Sequence, residues 1–264
     1  MNILIRELKS KRKTLLIWSI IIISFALLGF VEGIAFVGDT SIQSLMDSMP
    51  QELLKAFSME SFDMSTPEGY FGIMGPYFAL ALGIFSVMTG CTAIVSEMRD
   101  KTAEFSLSLP IKRYQLLFAK LIVVFIYGIV LNALSTLCSV VFGLTVNAQD
   151  GYYTFVLVSA GAVFFIQLIY LAIGFFVGCV FKNHKRASSL SVSILLATYF
   201  FSMFSGMHEK LEFFKYLNPF DFFDFYKIMT SGTLEWIYVI ILVALSSLLI
   251  AAGFISYQKK DIHI

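Results

Sequence analysis

The chain has 264 residues, 58% of them hydrophobic and only 14% charged, with a mean hydropathy of +0.82. A water-soluble domain carries roughly 45–50% apolar and about 25% charged residues, so this composition excludes one and indicates an integral membrane protein. The net charge of +1 comes without a basic tract interleaved with aromatics outside the apolar runs, which argues against nucleic-acid binding.

The first element is a basic segment over 1–13. Ile3, Leu4 and Leu8 share one helical face, and Arg6, Lys9, Lys11, Arg12 and Lys13 lie opposite them, the pattern of an interfacial helix on a membrane surface. An apolar run over 14–37 follows. No A-x-A-like cleavage site follows it, so it reads as a retained first span rather than a signal peptide. A spanning helix needs about 20 mostly apolar residues. By that measure the chain has six, over 14–37, 71–95, 117–146, 153–181, 188–207 and 234–257. The expected fold is an all-α polytopic membrane protein, with 1–264 as a single domain.

Three connecting segments carry patterns of their own. In 38–70, SIQSLMDSM and QELLKAF read as two short amphipathic helices separated at Pro50, which either cap the outer mouth or rest on lipid. The segment 96–120, SEMRDKTAEFSLSLPIKRYQLLFAK, is the most charge-dense stretch between two spans. It predicts a short amphipathic helix over 97–109, in which Phe105, Leu107 and Leu109 follow the polar group Glu97, Arg99, Asp100, Lys101 and Glu104. Pro110 closes it, because proline disfavours the α conformation in the preceding residue. The segment 208–230 is rich in Phe and Tyr, carries charges and is broken at Asn218-Pro219. Aromatics mixed with charges suit a membrane interface, so it reads as a re-entrant or interfacial hairpin on the outer side rather than a seventh span.

The lysines and arginines give the orientation. With the N-terminus inside, the cytoplasmic side holds Arg6, Lys9, Lys11, Arg12, Lys13, Arg99, Lys101, Lys112, Arg113, Lys120, Lys182, Lys185, Arg186, Lys259 and Lys260. The other side holds Lys55, Lys210, Lys215 and Lys227. These are fifteen against four of the chain's 19, which predicts that both termini are cytoplasmic.

Catalytic patterns are missing from the sequence. It has no G-x-x-x-x-G-K-[ST] phosphate loop, no H-E-x-x-H and no G-x-S-x-G, so any ATP chemistry would belong to another chain. Cys91, Cys138 and Cys179 fall in apolar runs, where a free cysteine behaves as a small hydrophobe. His184, His208 and His263 are scattered singly, and no metal site is expected. Glu32 stands near the outer boundary of the first span, where snorkelling or pairing is the plainer role. Asn132 and Gln167 fall near the middle of the third and fourth spans, where polar side chains either bond helices together or line a polar path. Gly174 and Gly178 form a G-x-x-x-G, as do Gly29 and Gly33. Both pairs permit close helix approach, within the chain or in a dimer.

The run Glu97-x-Arg99-x-x-Thr102-x-Glu104, followed by Leu107-x-Leu109-Pro110-x-x-Arg113, resembles the cytoplasmic signature between the second and third spans of ABC type-2 transporter permeases. Lys101 stands where that family commonly has glycine. The resemblance covers the whole chain, from the basic N-terminal helix through the six spans and the Pro50–Phe57 segment to the aromatic hairpin and cationic tail. It implies a permease unit of a bacterial cell-membrane exporter, paired with a second copy or a related permease. It also implies a separate ATP-binding-cassette ATPase that holds ATP and Mg, with no cofactor in this chain. Glu97, Arg99, Thr102 and Glu104 would form the coupling helix that docks the ATPase, with Pro110 and Arg113 setting its exit. A wall rich in Phe, Met and Ile fits an amphipathic or hydrophobic cargo such as a peptide, an antibiotic or a lipid. The alternative is an ATPase-independent secondary transporter or channel, which predicts ionisable residues at mid-membrane or inverted repeats. A membrane enzyme would need a catalytic cluster that the sequence lacks.

Overall fold

Helix α1 runs without a break from Ile3 to Phe36. In this computed structural model the described residues are 3–56, 59, 61–99, 113–181, 183–207 and 218–259. The remaining helices are α2 (Thr40–Asp47), α3 (Gln51–Ala56), α4 (Pro67–Arg99), α5 (Arg113–Thr145), α6 (Asp150–Val180), α7 (His184–Met207), α8 (Phe225–Ser231) and α9 (Trp236–Gln258). No strand occurs among the described residues. Helices α1, α4, α5, α6, α7 and α9 are long and apolar enough to cross a membrane, so the fold is all-α with six spans.

The basic segment expected as a separate interfacial helix is the beginning of α1. Residues 3–28 contain neither glycine nor proline, and lysine, arginine and leucine are good helix formers, so nothing stops the helix at the membrane surface. Its 34 residues span about 51 Å, against roughly 30 Å of hydrocarbon. The surplus is the basic end. A similar continuity appears in α4, which reaches Arg99. Glu97 and Arg99 therefore belong to the last turn of α4, just beyond the apolar stretch that ends at Val95, rather than to the start of a new helix. The rest of the 97–109 segment lies outside the described residues.

Local chemistry fixes the helix ends. At the start of α4, Thr66 Oγ1 accepts from Gly69 N at 3.1 Å, and Pro67 takes the first helical position, where its missing N–H leaves nothing unsatisfied. Asn183 Oδ1 accepts from Lys185 N and Arg186 N at 3.0 and 3.3 Å, capping α7. After α5 the chain turns through Asn147 at φ 53°, a left-handed position that asparagine tolerates. Asp224 caps α8, accepting from Tyr226 N at 2.9 Å, and Gly232 ends that helix at φ 65°.

Helices α4 and α6 form the buried centre, with α1, α7 and α9 on the outside and α5 between. The inner pair touch almost backbone to backbone. A Cβ on Gly174 would lie 2.2 Å from Val87 O, one on Gly178 2.9 Å from Cys91 O, and one on Gly90 2.7 Å from Leu171 O. The α6 glycine pair is thus consumed inside this chain. The α1 pair is also occupied, because the Tyr70 ring fills the space beside Gly33 and its hydroxyl donates to Gly29 O.

The outer helices leave Leu16, Ile20, Leu28 and Val31 of α1, and Trp236, Ile240 and Leu248 of α9, exposed. Lipid-facing helices of a multi-pass membrane protein present such faces. At the end of the bundle away from the termini, Tyr70, Phe71, Phe142, Tyr152 and Phe155 pack ring against ring. Pro76 sits inside α4 nearby, where it removes the hydrogen bond to Gly72. The rings of Phe62 and Phe225 press on Gly72 and Gly75, tying the 61–66 segment and α8 to that point.

Candidate functional site

The segment 97–113 begins and ends on two helices that are joined to each other. Near its departure from α4, Ala93, Ile94 and Val95 are buried, and near its return in α5, Leu116 and Leu117 are buried. Ile94 and Leu117 share a small core with Phe175 and Cys179 of α6 and Tyr257 of α9. Lys120 crosses this joint. Its Nζ donates to Ala93 O at 2.9 Å, and the residue is only 4% exposed.

Ala93 lies one helical turn before Glu97. Lys120 lies two turns after Arg113, about 10 Å along α5. Lys120, counted among the cations of the cytoplasmic side, is buried in the bundle. The reason is reach: its four-carbon stem lies along apolar neighbours while the ammonium finds a carbonyl near the C-terminal end of α4, where the helix dipole favours a cation.

Of the signature residues, Glu97 and Arg99 end α4 and Arg113 opens α5. Thr102, Glu104 and Pro110 lie outside the described residues, as does Lys101.

A second polar feature runs along the α5–α6 seam. Asn132 Nδ2 donates to Gln167 Oε1 at 3.0 Å and approaches Ala160 O at 3.1 Å, and Gln167 Nε2 donates to Gly128 O at 3.4 Å. Both side chains are buried, at 6% and 4% exposed. Two residues 35 apart in sequence thus form one bond between facing helices. The seam continues away from the termini with Ser135, Thr136 and Ser139, whose hydroxyls donate to carbonyls of their own helix. Tyr152 OH then donates to Ser139 O at 2.8 Å. On the α5–α6 surface, Ile129, Asn132, Ala133, Thr136, Leu137, Val140, Ala160 and Phe164 line an open groove of about 430 Å³. Glu32 is exposed, one turn before the end of α1.

The turn at Asn218-Pro219 is held by polar bonds that its aromatic composition hides. Asn218 Nδ2 donates to Thr198 O at 2.9 Å and to Asp221 Oδ2 at 3.0 Å. Ser202 Oγ donates to Asp221 Oδ1, and Tyr170 OH pairs with Thr198 Oγ1 at 2.6 Å. Asp221 thereby ties the turn to α7 through Ser202, and Asn218 ties it there through Thr198, which also bonds Tyr170 of α6. The first half of the expected hairpin, 208–217, lies outside the described residues. Its second half is the turn at 218–224 followed by α8.

Sequence reasoning missed Lys120 and Asp221 as anchors. For Lys120 the available signal was its position inside the apolar run that begins at 117. For Asp221 it was the close spacing to Asn218. Among the described residues no group of three His, Cys, Asp or Glu side chains is placed to hold a metal ion. The family described as ABC-2 family transporter protein matches this chain over residues 1–262. A search of curated proteins found no match.

Proposed function

The chain belongs to the ABC-2 family of transporter proteins, as a membrane component and not the ATPase, and from that premise we propose that it is the permease subunit of an ABC exporter. ATP, with Mg, is bound and hydrolysed by a separate ATP-binding-cassette subunit in the cytoplasm. The chain works as a dimer, with a second copy or a related permease, in the bacterial cell membrane with both termini cytoplasmic. Its cargo is amphipathic or hydrophobic and moves outward.

The observation that carries this reading is the joint at Lys120. A segment that receives force from a docked ATPase must be connected rigidly to the spans that move. Here 97–113 is bracketed by α4 and α5, locked by a buried cation–carbonyl bond, and α4 packs against α6 through glycine contacts. In the proposed mechanism Glu97, Arg99, Thr102 and Glu104 make the ion pairs and hydrogen bonds of the docking surface, where charge complementarity supplies specificity. Pro110 and Arg113 set the return into α5. Closure of the ATPases displaces the segment, and the α4–α6 pair carries the displacement to the seam.

Reversing one charge tests the docking role. Glu104→Lys should insert in the membrane at wild-type levels yet lose ATP-driven transport and ATPase coupling. Full activity of that variant, measured in proteoliposomes with the partner subunit, would overturn the assignment.

A further inference from the structure

Beside the Asn132–Gln167 bond, the α5–α6 seam contains a small, partly open cavity whose largely apolar lining includes the polar side chains of Asn132, Ser135, Thr136, Ser139 and Ser159. About 20 Å³ of it is open to the centre of a water molecule, and roughly 10–15 Å³ is enough to hold one. Ser159 is 1% exposed, and its hydroxyl has no hydrogen-bond partner. The hydroxyls facing it differ. Ser135 and Thr136 each donate to Asn132 O at 2.8 Å, and Ser139 donates to Ser135 O at 3.1 Å. Each has used its proton and keeps oxygen lone pairs with which to accept.

The cavity therefore offers one unused donor on α6 and several unused acceptors on α5, with the Ser159, Ser135 and Ser139 side chains buried. We propose that this cavity is an internal hydration site. One water molecule accepts the Ser159 hydroxyl proton and donates to serine or threonine oxygens of α5. It would extend the Asn132–Gln167 bond into a water-bridged seam between the two helices. Water meets the requirement for two to four polar partners in so small a space, whereas a larger polar ligand does not fit.

The competing arrangement is a dry cavity, with the Ser159 hydroxyl turned back onto the carbonyl of Phe155, as serines in apolar helices do. Radiolytic hydroxyl labelling of the full chain in lipid nanodiscs, with rapid mixing into ¹⁸O-water and mass spectrometry, separates the two. Phe78 and Phe225 line the cavity and are 8% and 6% exposed. In the wild type both rings should be oxidised by the bound water, with slower ¹⁸O uptake than exposed Trp236. In Ser159→Val, whose methyl groups fill the space, that labelling should disappear while Trp236 labelling and the melting temperature are kept. Ser159→Ala, which removes the donor alone, should reduce it and serves where the valine variant does not fold. Unmodified rings in the wild type, or equal labelling in wild type and variants, would overturn the proposal.

Discussion

Lys120 Nζ donates to the carbonyl of Ala93 at 2.9 Å, linking α4 one turn before Glu97 to α5 two turns after Arg113, on the two helices between which the charged segment 97–113 runs. A buried ammonium is expensive to desolvate, so its retention at this joint calls for a role that an apolar residue cannot fill. Lys120→Met keeps the length of the stem and removes the charge. It should fold and insert as the wild type does, and lower coupled transport on the order of tenfold, the loss expected from one charge-assisted bond of about 1.5 kcal/mol. Lys120→Arg should retain most activity. Transport falling only in proportion to the folded protein recovered would reduce Lys120 to a packing residue.

The backbone approach of α4 to α6 gives an ordered series. A methyl group on Gly174 would meet Val87 O at 2.2 Å, and one on Gly178 would meet Cys91 O at 2.9 Å, whereas one on Gly128 would lie 3.8 Å from Gln167 Nε2. Backbone cannot step aside as a side chain can. Gly174→Ala should destabilise the protein by about 1–3 kcal/mol, the usual range for overpacking. Gly178→Ala should cost less, and Gly128→Ala should be tolerated. Thermal unfolding of the purified variants would show the order, and an inverted order would refute the contact geometry.

Hydropathy was sufficient to find the six spans, because a bilayer leaves an apolar backbone segment little choice but a helix. The two short helices around Pro50 were also readable, from amphipathic spacing and a breaker. Continuity was less legible. Charge alone separated 1–13 from 14–37 and Glu97 from the second span, yet no helix breaker stands at either point, and the helix ran on through both. Tertiary partners were out of reach altogether. Gly174 and Gly178 could be recognised as a close-approach motif, but not Val87 and Cys91 as what they approach. Asn132 and Gln167 could be placed at similar depth, but a periodic pattern does not say which faces meet. The burial of Lys120 was not legible either, because a cation near a span end ordinarily faces water.

The Asn132–Gln167 bond should be measurable as a coupling. Asn132→Leu leaves Gln167 Oε1 without the amide that now donates to it, and Gln167→Leu leaves the Asn132 amide with Ala160 O alone. In a double-mutant cycle on unfolding in detergent, the interaction energy should be on the order of 0.6–1.7 kcal/mol, the range for hydrogen bonds between membrane helices. Additive effects would show that the pair does not hold the helices together.

Helix α2 supplies a pH-dependent test outside the membrane. Asp39 Oδ1 accepts from Ser41 N at 2.9 Å, capping the helix, and hydrogen bonds from the Ser41 side chain and backbone hold its carboxyl below the usual aspartate value. A group with a depressed folded value stabilises the folded form above its unfolded value, about 3.9, and loses that contribution as pH falls through the folded value. The cap is therefore complete at neutral pH and fails in acid. Amide exchange in 41–47, corrected for intrinsic rates, should reveal progressive loss of protection below about pH 4 in the wild type. Asp39→Asn keeps an acceptor that does not titrate there, so its protection should stay flat over the same range. Asp39→Ala should lack the cap at every pH, and parallel pH profiles for all three proteins would rule out the Asp39 carboxylate as the group that holds the start of α2.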